Sequence, residues 1–568
     1  MIRKIEWKAI SIKEQINSFM EKKIFIVPEP KSIRFTGRWF AFDGFKSFPE
    51  FLRREFKVPS GDWTIIEVNG EETGLKVEEG KVTVWGDRQI CYATLLQLIM
   101  QGGGCLPEVE VKESFKFKFR GYHLDIARGG VPRLETFKDI LRMLFLFKYN
   151  YFAIYFEDLF PWRKYPQIGK HRGRLTENEL KEVIDYGNNL GIEVFPSLEL
   201  SGHMEHILSL PEFYRFSEWH NPREGCLNLS DEEARKFAYD LLEEAIGFFS
   251  SSKYIHIGGD ETWALGRGRS LNKTWTFEGP KLYEEHHKNM VEKVLENGKE
   301  PILWGDMISG MYLGDESAKW REVLESDIWR KSLIANWDYS PSSKEFFREK
   351  IRIFKDRGLK QIACPGLSNW NRYYPNFEIA LENIKNFLSA AAEEDLPGFL
   401  LTAWGDDGEE CLFSLLKPLI LAAMEIAEGK GEWLEKWQAI SGEGEETVEA
   451  RLLFGKPEFS DVIKHVILKG FWFDRLSSED KERIKESWKK TLEKVEGIKM
   501  PEDLSFVRSL LILGVKILKG EDEVSDYIAL SNIYARLWLK ERKPEGLEKI
   551  IERFWGAAGR TDVMRRHV

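Results

Sequence analysis

The chain has 568 residues, too many for one hydrophobic core, so several domains are expected. With 43% hydrophobic and 31% charged residues, and with 20 Trp and 38 Phe, it has the material for large packed cores, which excludes wholesale disorder. A formal net charge of −10 with no long basic run excludes nucleic acid as the main partner and favours a neutral or weakly charged ligand.

The opening segment, Met1-Ile-Arg-Lys-Ile-Glu-Trp-Lys, interrupts any apolar stretch with charge, and the longest apolar region, 412–427, contains Lys417 and Pro418. A cytoplasmic chain without a membrane partner is predicted. The five cysteines (Cys91, Cys105, Cys226, Cys364 and Cys411) are scattered without a CxxC pair, so buried free thiols are expected rather than disulfides or structural zinc.

In chain order, residues 1–115 mix strand-like runs (Lys23–Val27, Trp63–Val68, Lys81–Trp85) with one apolar helix, Cys91–Met100, and predict a separate α/β domain. Residues 116–428 repeat one theme eight times, a short apolar run followed by an amphipathic helical stretch. The runs are Phe119–Ile126, Tyr151–Glu157, Glu193–Leu198, Tyr254–Ile257, Pro301–Trp304, Leu333–Trp337, Gln361–Pro365 and Phe399–Trp404. Near-continuous apolar strands suit a parallel sheet covered on both faces. Ser230 to Glu233 reads as a capping box, and Thr176 with Glu179 as another, the helix after Thr176 ending at Gly191. Eight β-then-α units predict an α/β fold of the (β/α)8 TIM-barrel type, with an N-terminal α/β domain before it. Residues 429–568, rich in Lys, Glu and Leu at helical spacing, predict a helical C-terminal region.

Barrel chemistry gathers at the C-terminal ends of strands. Those ends carry Arg120 and Asp125, Glu157-Asp158, Glu199 with Gly202-His203, Asp260-Glu261, Trp304 with Asp306, Trp337-Asp338-Tyr339, Trp370, and Trp404 with Asp406-Asp407. Carboxylates beside indoles suit a sugar, whose hydroxyls meet the acids and whose C–H faces meet the rings. The sharpest signal is His256-Ile-Gly-Gly-Asp260-Glu261: two adjacent carboxylates at a strand end, where one can protonate a leaving oxygen while the other orients a second group. An isolated Asp-Glu pair is most often a solvated turn; the strand and the two glycines argue otherwise here.

These residues resemble the family 20 glycoside hydrolases, the β-N-acetylhexosaminidases. The likeness lies in His256-x-Gly258-Gly259-Asp260-Glu261, in Arg120-Gly121-x-x-Leu124-Asp125, in Pro196-x-x-Glu199-x-x-Gly202-His203 with Glu for the family's Asp, and in the helix around Tyr92 to Leu98. The second strand departs, with Tyr155-Phe-Glu157-Asp158 in place of His-x-His-x-x-Asp-Asp, as in a divergent branch. The resemblance implies an exo-acting, retaining, substrate-assisted enzyme that removes terminal β-linked N-acetylglucosamine or N-acetylgalactosamine from small oligosaccharides or glycoconjugates. It implies Glu261 as acid and base, Asp260 and Tyr339 on the acetamido group, and His203 with Asp158 as a relay behind Glu261. Trp304, Trp337, Trp370 and Trp404 would wall the site, while Glu157, Arg120 and Asp406 would bind hydroxyls.

No cofactor is expected. His203 and His206 stand at metal-ligand spacing, but without a clear third ligand no metal site is predicted. Rival readings are a glycosidase using Glu157 or Glu199 as nucleophile, and a sugar-binding barrel without catalysis. Oligomeric state is left open, a homodimer included.

Overall fold

The computed structural model describes residues 23–310 and 317–559. At the N-terminus, β1 (Ser32–Ala41), β2 (Thr64–Val68), β3 (Thr73–Glu78), β4 (Lys81–Trp85) and β5 (Cys105–Glu113) form one sheet in the order β1-β5-β3-β4-β2, with β2 and β4 the parallel pair. Helix α1 (Glu50–Phe56) lies between β1 and β2. Helix α2 (Arg88–Gly102), whose first turn is capped by the Asp87 side chain, packs against β3 and β5 and is buried along most of its length. The run Lys23–Val27 is not a strand. Its backbone bonds instead to side chains of α2: Gln97 Oε1 accepts the Val27 N–H at 2.8 Å, and Gln101 Oε1 accepts the Phe25 N–H at 3.1 Å. Two glutamines one helical turn apart thus replace a strand partner.

Eight parallel strands then close a barrel: β6 (Phe119–Asp125), β7 (Tyr151–Tyr155), β8 (Glu193–Ser197), β9 (Tyr254–His256), β10 (Glu300–Trp304), β11 (Leu333–Trp337), β12 (Lys360–Cys364) and β13 (Gly398–Ala403). All eight apolar runs of the sequence become strands. The outer helices include α3 (Leu134–Leu146), α4 (Glu177–Asn189), α5 (Glu232–Phe248), α6 (Gly279–Glu296), α7 (Lys344–Lys355), α8 (Phe377–Glu393) and α9 (Lys417–Glu428). Thr176 and Glu179 form the expected capping box of α4. The cap of α5 is Asp231 rather than Ser230; its carboxylate accepts from Glu233 N and Ala234 N, and the Ser230 hydroxyl donates to Asn228 Oδ1. Carboxylate acceptors suit the positive end of a helix.

The barrel is filled, not hollow. Phe119, Tyr151 and Tyr254 plug its N-terminal end, with Phe119 and Tyr151 stacked at 4.1 Å. Above them Ile302, Ile362 and Leu400 pack the middle, and Tyr155, Trp304 and Trp404 form the uppermost layer. A ligand site of the barrel is therefore expected at its open C-terminal face.

Downstream of the barrel the chain is helical among its described residues, ending with α10 (Ser478–Val495), α11 (Glu502–Lys519), α12 (Val524–Glu541) and α13 (Leu547–Ala558). The segment between α12 and α13 is tied to the barrel. Arg542, wholly buried between the rings of Phe413 and Trp538, donates to Glu409 O at 2.6 Å and to Cys411 O. Glu541 accepts the Phe413 and Ser414 N–H groups, and the Arg133 and Lys543 N–H groups bond to Glu541 O and Val131 O. These contacts fix the loops that follow β6 and β13. All five cysteines are buried, and none forms a disulfide.

Candidate active site

The turn after β9 needs its glycines. Gly258 and Gly259 have φ of +72° and +96°; a Cβ would lie 2.4 Å from Leu198 O at the first and 2.7 Å from the Tyr283 hydroxyl at the second. His256 Nδ1 accepts the Gly258 N–H at 3.1 Å, and burial holds this imidazole far below its usual pKa. It is a neutral group that sets the turn. Glu157, His203 and Glu261, on three successive strand-end loops, also adopt left-handed conformations with φ of +44°, +47° and +46°. Such strain in non-glycine residues persists only where surrounding contacts enforce it.

The acid side of the site is tightly coupled. His203 Nε2 lies 3.4 Å from Asp260 Oδ2 and 3.5 Å from Glu261 Oε2. Burial alone would lower the histidine, but the Asp260 charge together with hydrogen bonds to Asp260 and Glu261 outweighs it and lifts His203 well above its usual value. The imidazolium in turn holds Asp260 below the ordinary carboxylate range against the effect of burial. Glu199 is buried beside Asp260; burial and that neighbouring charge push its carboxyl well up, so Glu199 keeps its proton while Asp260 is ionised. The buried Oδ1 of Asp260 receives no N–H donor from the described residues. Asp306 supports this arrangement from β10: its Oδ2 accepts the Glu261 N–H at 3.0 Å and its Oδ1 accepts the Trp337 indole N–H at 3.1 Å. Burial, aided by the Asp260 charge, raises Asp306 to about 7.

The facing wall is aromatic. Trp337 stacks on Tyr339 at 5.1 Å, and Trp370 meets the same tyrosine at 5.1 Å. The Tyr339 hydroxyl accepts the Trp404 indole N–H at 2.7 Å, which leaves the hydroxyl proton to donate into the cavity. Arg128, His203, Asp260, Glu261, Trp337, Tyr339, Trp370, Trp404 and Asp406 enclose about 200 Å³. One polar wall of opposed charges thus faces one of aromatic rings, across a space closed at its base.

Most of the residues expected from the sequence meet here, and four do not line the cavity. Arg120 sits at the opposite end of the barrel, because it opens β6 rather than ending it. Its guanidinium donates to Phe117 O at 2.7 Å and Lys148 O at 2.9 Å, and packs on Phe115. The arginine in the site is Arg128, three residues past the end of β6, which the sequence reading passed over. It binds Asp125 Oδ2 at 2.5 Å and Glu157 Oε1 at 3.0 Å, approaches Asp406 Oδ1 at 3.7 Å, and lies over the Tyr155 and Trp404 rings. Glu157 accordingly lies behind Arg128, where burial raises its carboxyl to about 8 against the pull of that arginine. Asp158 is paired with Arg172 rather than with His203, and burial raises it to about 6. In place of the expected His203–Asp158 relay, His203 contacts Asp260 and Glu261 directly. Trp304 is fully buried beneath the cavity, 5.8 Å from Trp404 and 4.4 Å from His256, and serves as its floor.

His203 and His206 point to different places. His206 joins Glu157 and Glu205, with ligand atoms within 4.8 Å of one another. Arg128 on Glu157, and the charges of Arg172 and Arg128 that help lower His206, oppose a cation there.

The parallel eight-stranded barrel thus sets an Asp-Glu dyad against an aromatic wall at its C-terminal face, an arrangement suited to a sugar. Residues 117–346 match the catalytic domain of glycosyl hydrolase family 20. Among relatives, the β-hexosaminidase of Vibrio furnissii is 30% identical over 265 residues, 38% of this chain and 43% of the relative. Human hexosaminidase D is 23% identical over 308 residues, 51% and 61% of the respective chains. The likeness thus spans about half the length of these relatives. Among solved structures, the Flavobacterium johnsoniae chitobiase aligns with a TM-score of 0.59 at 16% identity, over 93% of this chain and 99% of its own. The Vibrio harveyi exo-β-N-acetylglucosaminidase gives 0.57 at 16% identity, over 73% and 76%. At these identities the structures bear on fold alone.

Proposed function

We propose that the chain is an exo-acting β-N-acetylhexosaminidase that releases single terminal N-acetylhexosamine units with retention, using the substrate's own 2-acetamido group. The observation that carries this reading is the pairing of Asp260 and Tyr339 on opposite walls of one small closed pocket with Glu261 at its edge. The Tyr339 hydroxyl donates to the acetamido oxygen and the ionised Asp260 accepts the acetamido N–H, so that oxygen is aimed at the anomeric carbon. As it bonds there, the bond to the leaving oxygen breaks and Glu261 supplies that oxygen with a proton. Positive charge on the cyclic oxazolinium is met by Asp260. Glu261 then removes a proton from water as it attacks the same carbon and reopens the ring. His203, cationic between the two carboxylates, keeps Asp260 ionised and fixes Glu261.

A protein nucleophile fits poorly. Glu199 is protonated and Glu157 is held by Arg128 and the Tyr155 hydroxyl, and neither lines the cavity. Buried cysteines that form no disulfide favour a cytoplasmic setting, and short oligosaccharides or glycoconjugate fragments are the proposed substrates. Mass spectrometry of a chito-oligosaccharide digest tests the reading. Stepwise loss of single units is expected; early internal fragments would replace exo action with cleavage in an open cleft.

A further inference from the structure

The inner cavity opens into a second one, and the two share Arg128, His203, Glu261 and Asp406. These four residues are the mouth. A terminal sugar seated in a pocket closed at its base leaves the rest of its substrate outside that mouth, next to the acid Glu261. The outer chamber measures about 770 Å³ against about 200 Å³ inside, so it has room for more than one further sugar if the inner cavity holds one.

Its walls come from two parts of the chain far apart in sequence. Barrel loops supply His171, Arg172 and His206; α13 of the C-terminal region supplies Lys549 and Glu552. Helix α13 begins against the barrel: a Cβ on Gly546 would lie 2.0 Å from Gly129 O, one residue beyond Arg128. The Asp407 carboxylate, on the loop after β13, is held by Lys464 at 3.1 Å and by Arg553 of α13 at 2.6 Å. Lys549 lies 3.8 Å from the same carboxylate with its side chain 54% exposed. Every residue around the chamber is glycine, histidine or charged; none is aromatic or aliphatic. Such a lining offers hydrogen-bond donors and acceptors at many angles, which suits the hydroxyls of a polyhydroxylated chain.

We infer that the C-terminal helical region builds an aglycone subsite for oligosaccharide, with Lys549 and Glu552 of α13 binding the second and third sugars from the terminal end. This rests on the hexosaminidase reading of the inner pocket. The test compares kcat/KM on an aryl β-N-acetylglucosaminide with kcat/KM on chito-oligosaccharides of two, three and four units, for the native enzyme and for Lys549→Ala combined with Glu552→Ala. In the native enzyme kcat/KM is expected to rise severalfold from two units to three. In the variant the ratio of trisaccharide to aryl-glycoside kcat/KM is expected to fall about tenfold, the loss of about 1.4 kcal/mol of contact. Because the length series needs no variant, it stands even if the double replacement disturbs α13. A flat length series, or an unchanged ratio in a variant that keeps the native Tm, overturns the subsite while leaving the inner pocket's activity in place. A native ratio that favours alkyl aglycones, whose leaving ability is close to that of a sugar hydroxyl, over sugars overturns it too. Failure to turn over the aryl glycoside at all overturns the reading of the activity, and the subsite with it.

Discussion

Strand β6 carries an arginine near each end, and the two do opposite things. Arg120, at the start, is buried with its guanidinium spent on two backbone carbonyls, Phe117 O and Lys148 O, at the closed end of the barrel. Arg128, beyond the other end, is held by Asp125 and Glu157 with its outer edge at the mouth of the pocket. Both are charged, desolvated and multiply bonded, so burial does not distinguish structure from function here. Position along the strand does, as expected for a barrel whose N-terminal face carries stability and whose C-terminal face carries chemistry.

That contrast can be broken by mutation. The largest effect is expected at Glu261. Glu261→Gln should lower kcat/KM on natural glycosides by about 10²–10⁴-fold while sparing aryl substrates with good leaving groups, which need little protonation. Equal losses on both would remove Glu261 as the acid. Asp260→Asn should lower kcat by about 10²–10³-fold with little change in KM, since its bond strengthens as the oxazolinium charge develops. A change confined to KM would make it a binding group only.

The two arginines give the next comparison. Arg128→Ala should cost about 2–5 kcal/mol in kcat/KM, because the substrate loses a donor while Asp125 and Glu157 are left buried without their partner. Arg120→Ala should instead lower stability by about 1–3 kcal/mol for each abandoned carbonyl, with kcat/KM of the folded enzyme retained. Denaturant unfolding alongside initial rates separates the two. Loss of activity at Arg120 in a fully folded variant would erase the distinction between barrel ends.

A further effect is expected in pH dependence at Asp306, raised from its usual value to about 7. The native state then holds a proton that the unfolded chain has released above about pH 4. Native stability therefore falls as pH rises from about 4 to about 7 and levels off above that. Asp306→Asn removes this term, so its Tm relative to the parent should improve as pH rises through the same window. A difference that does not vary with pH would mean Asp306 is not raised.

The barrel was legible in the sequence because fully buried parallel strands announce themselves as short apolar runs. The N-terminal sheet was less so. Most residues of β1 are at least partly exposed, β3 contains Gly74, and β5 contains Pro107, so none offers a clean period. In the site, residues within a contiguous motif were readable, whereas Arg128 stood in a loop past the strand end. The partner of Asp158 depended on where Arg172 falls in space. The role of the C-terminal region was not readable at all, since it rests on contacts such as Arg542 with Glu409, 133 residues apart.

The claim at the centre is that the substrate supplies its own nucleophile. Paired aryl β-glycosides that differ only in bearing a 2-acetamido or a 2-hydroxyl group test it most directly, measured as kcat/KM on one enzyme preparation. Turnover of the 2-acetamido sugar with negligible hydrolysis of its 2-hydroxyl counterpart is predicted. Comparable rates on both would require a protein carboxylate at the anomeric carbon and contradict the account.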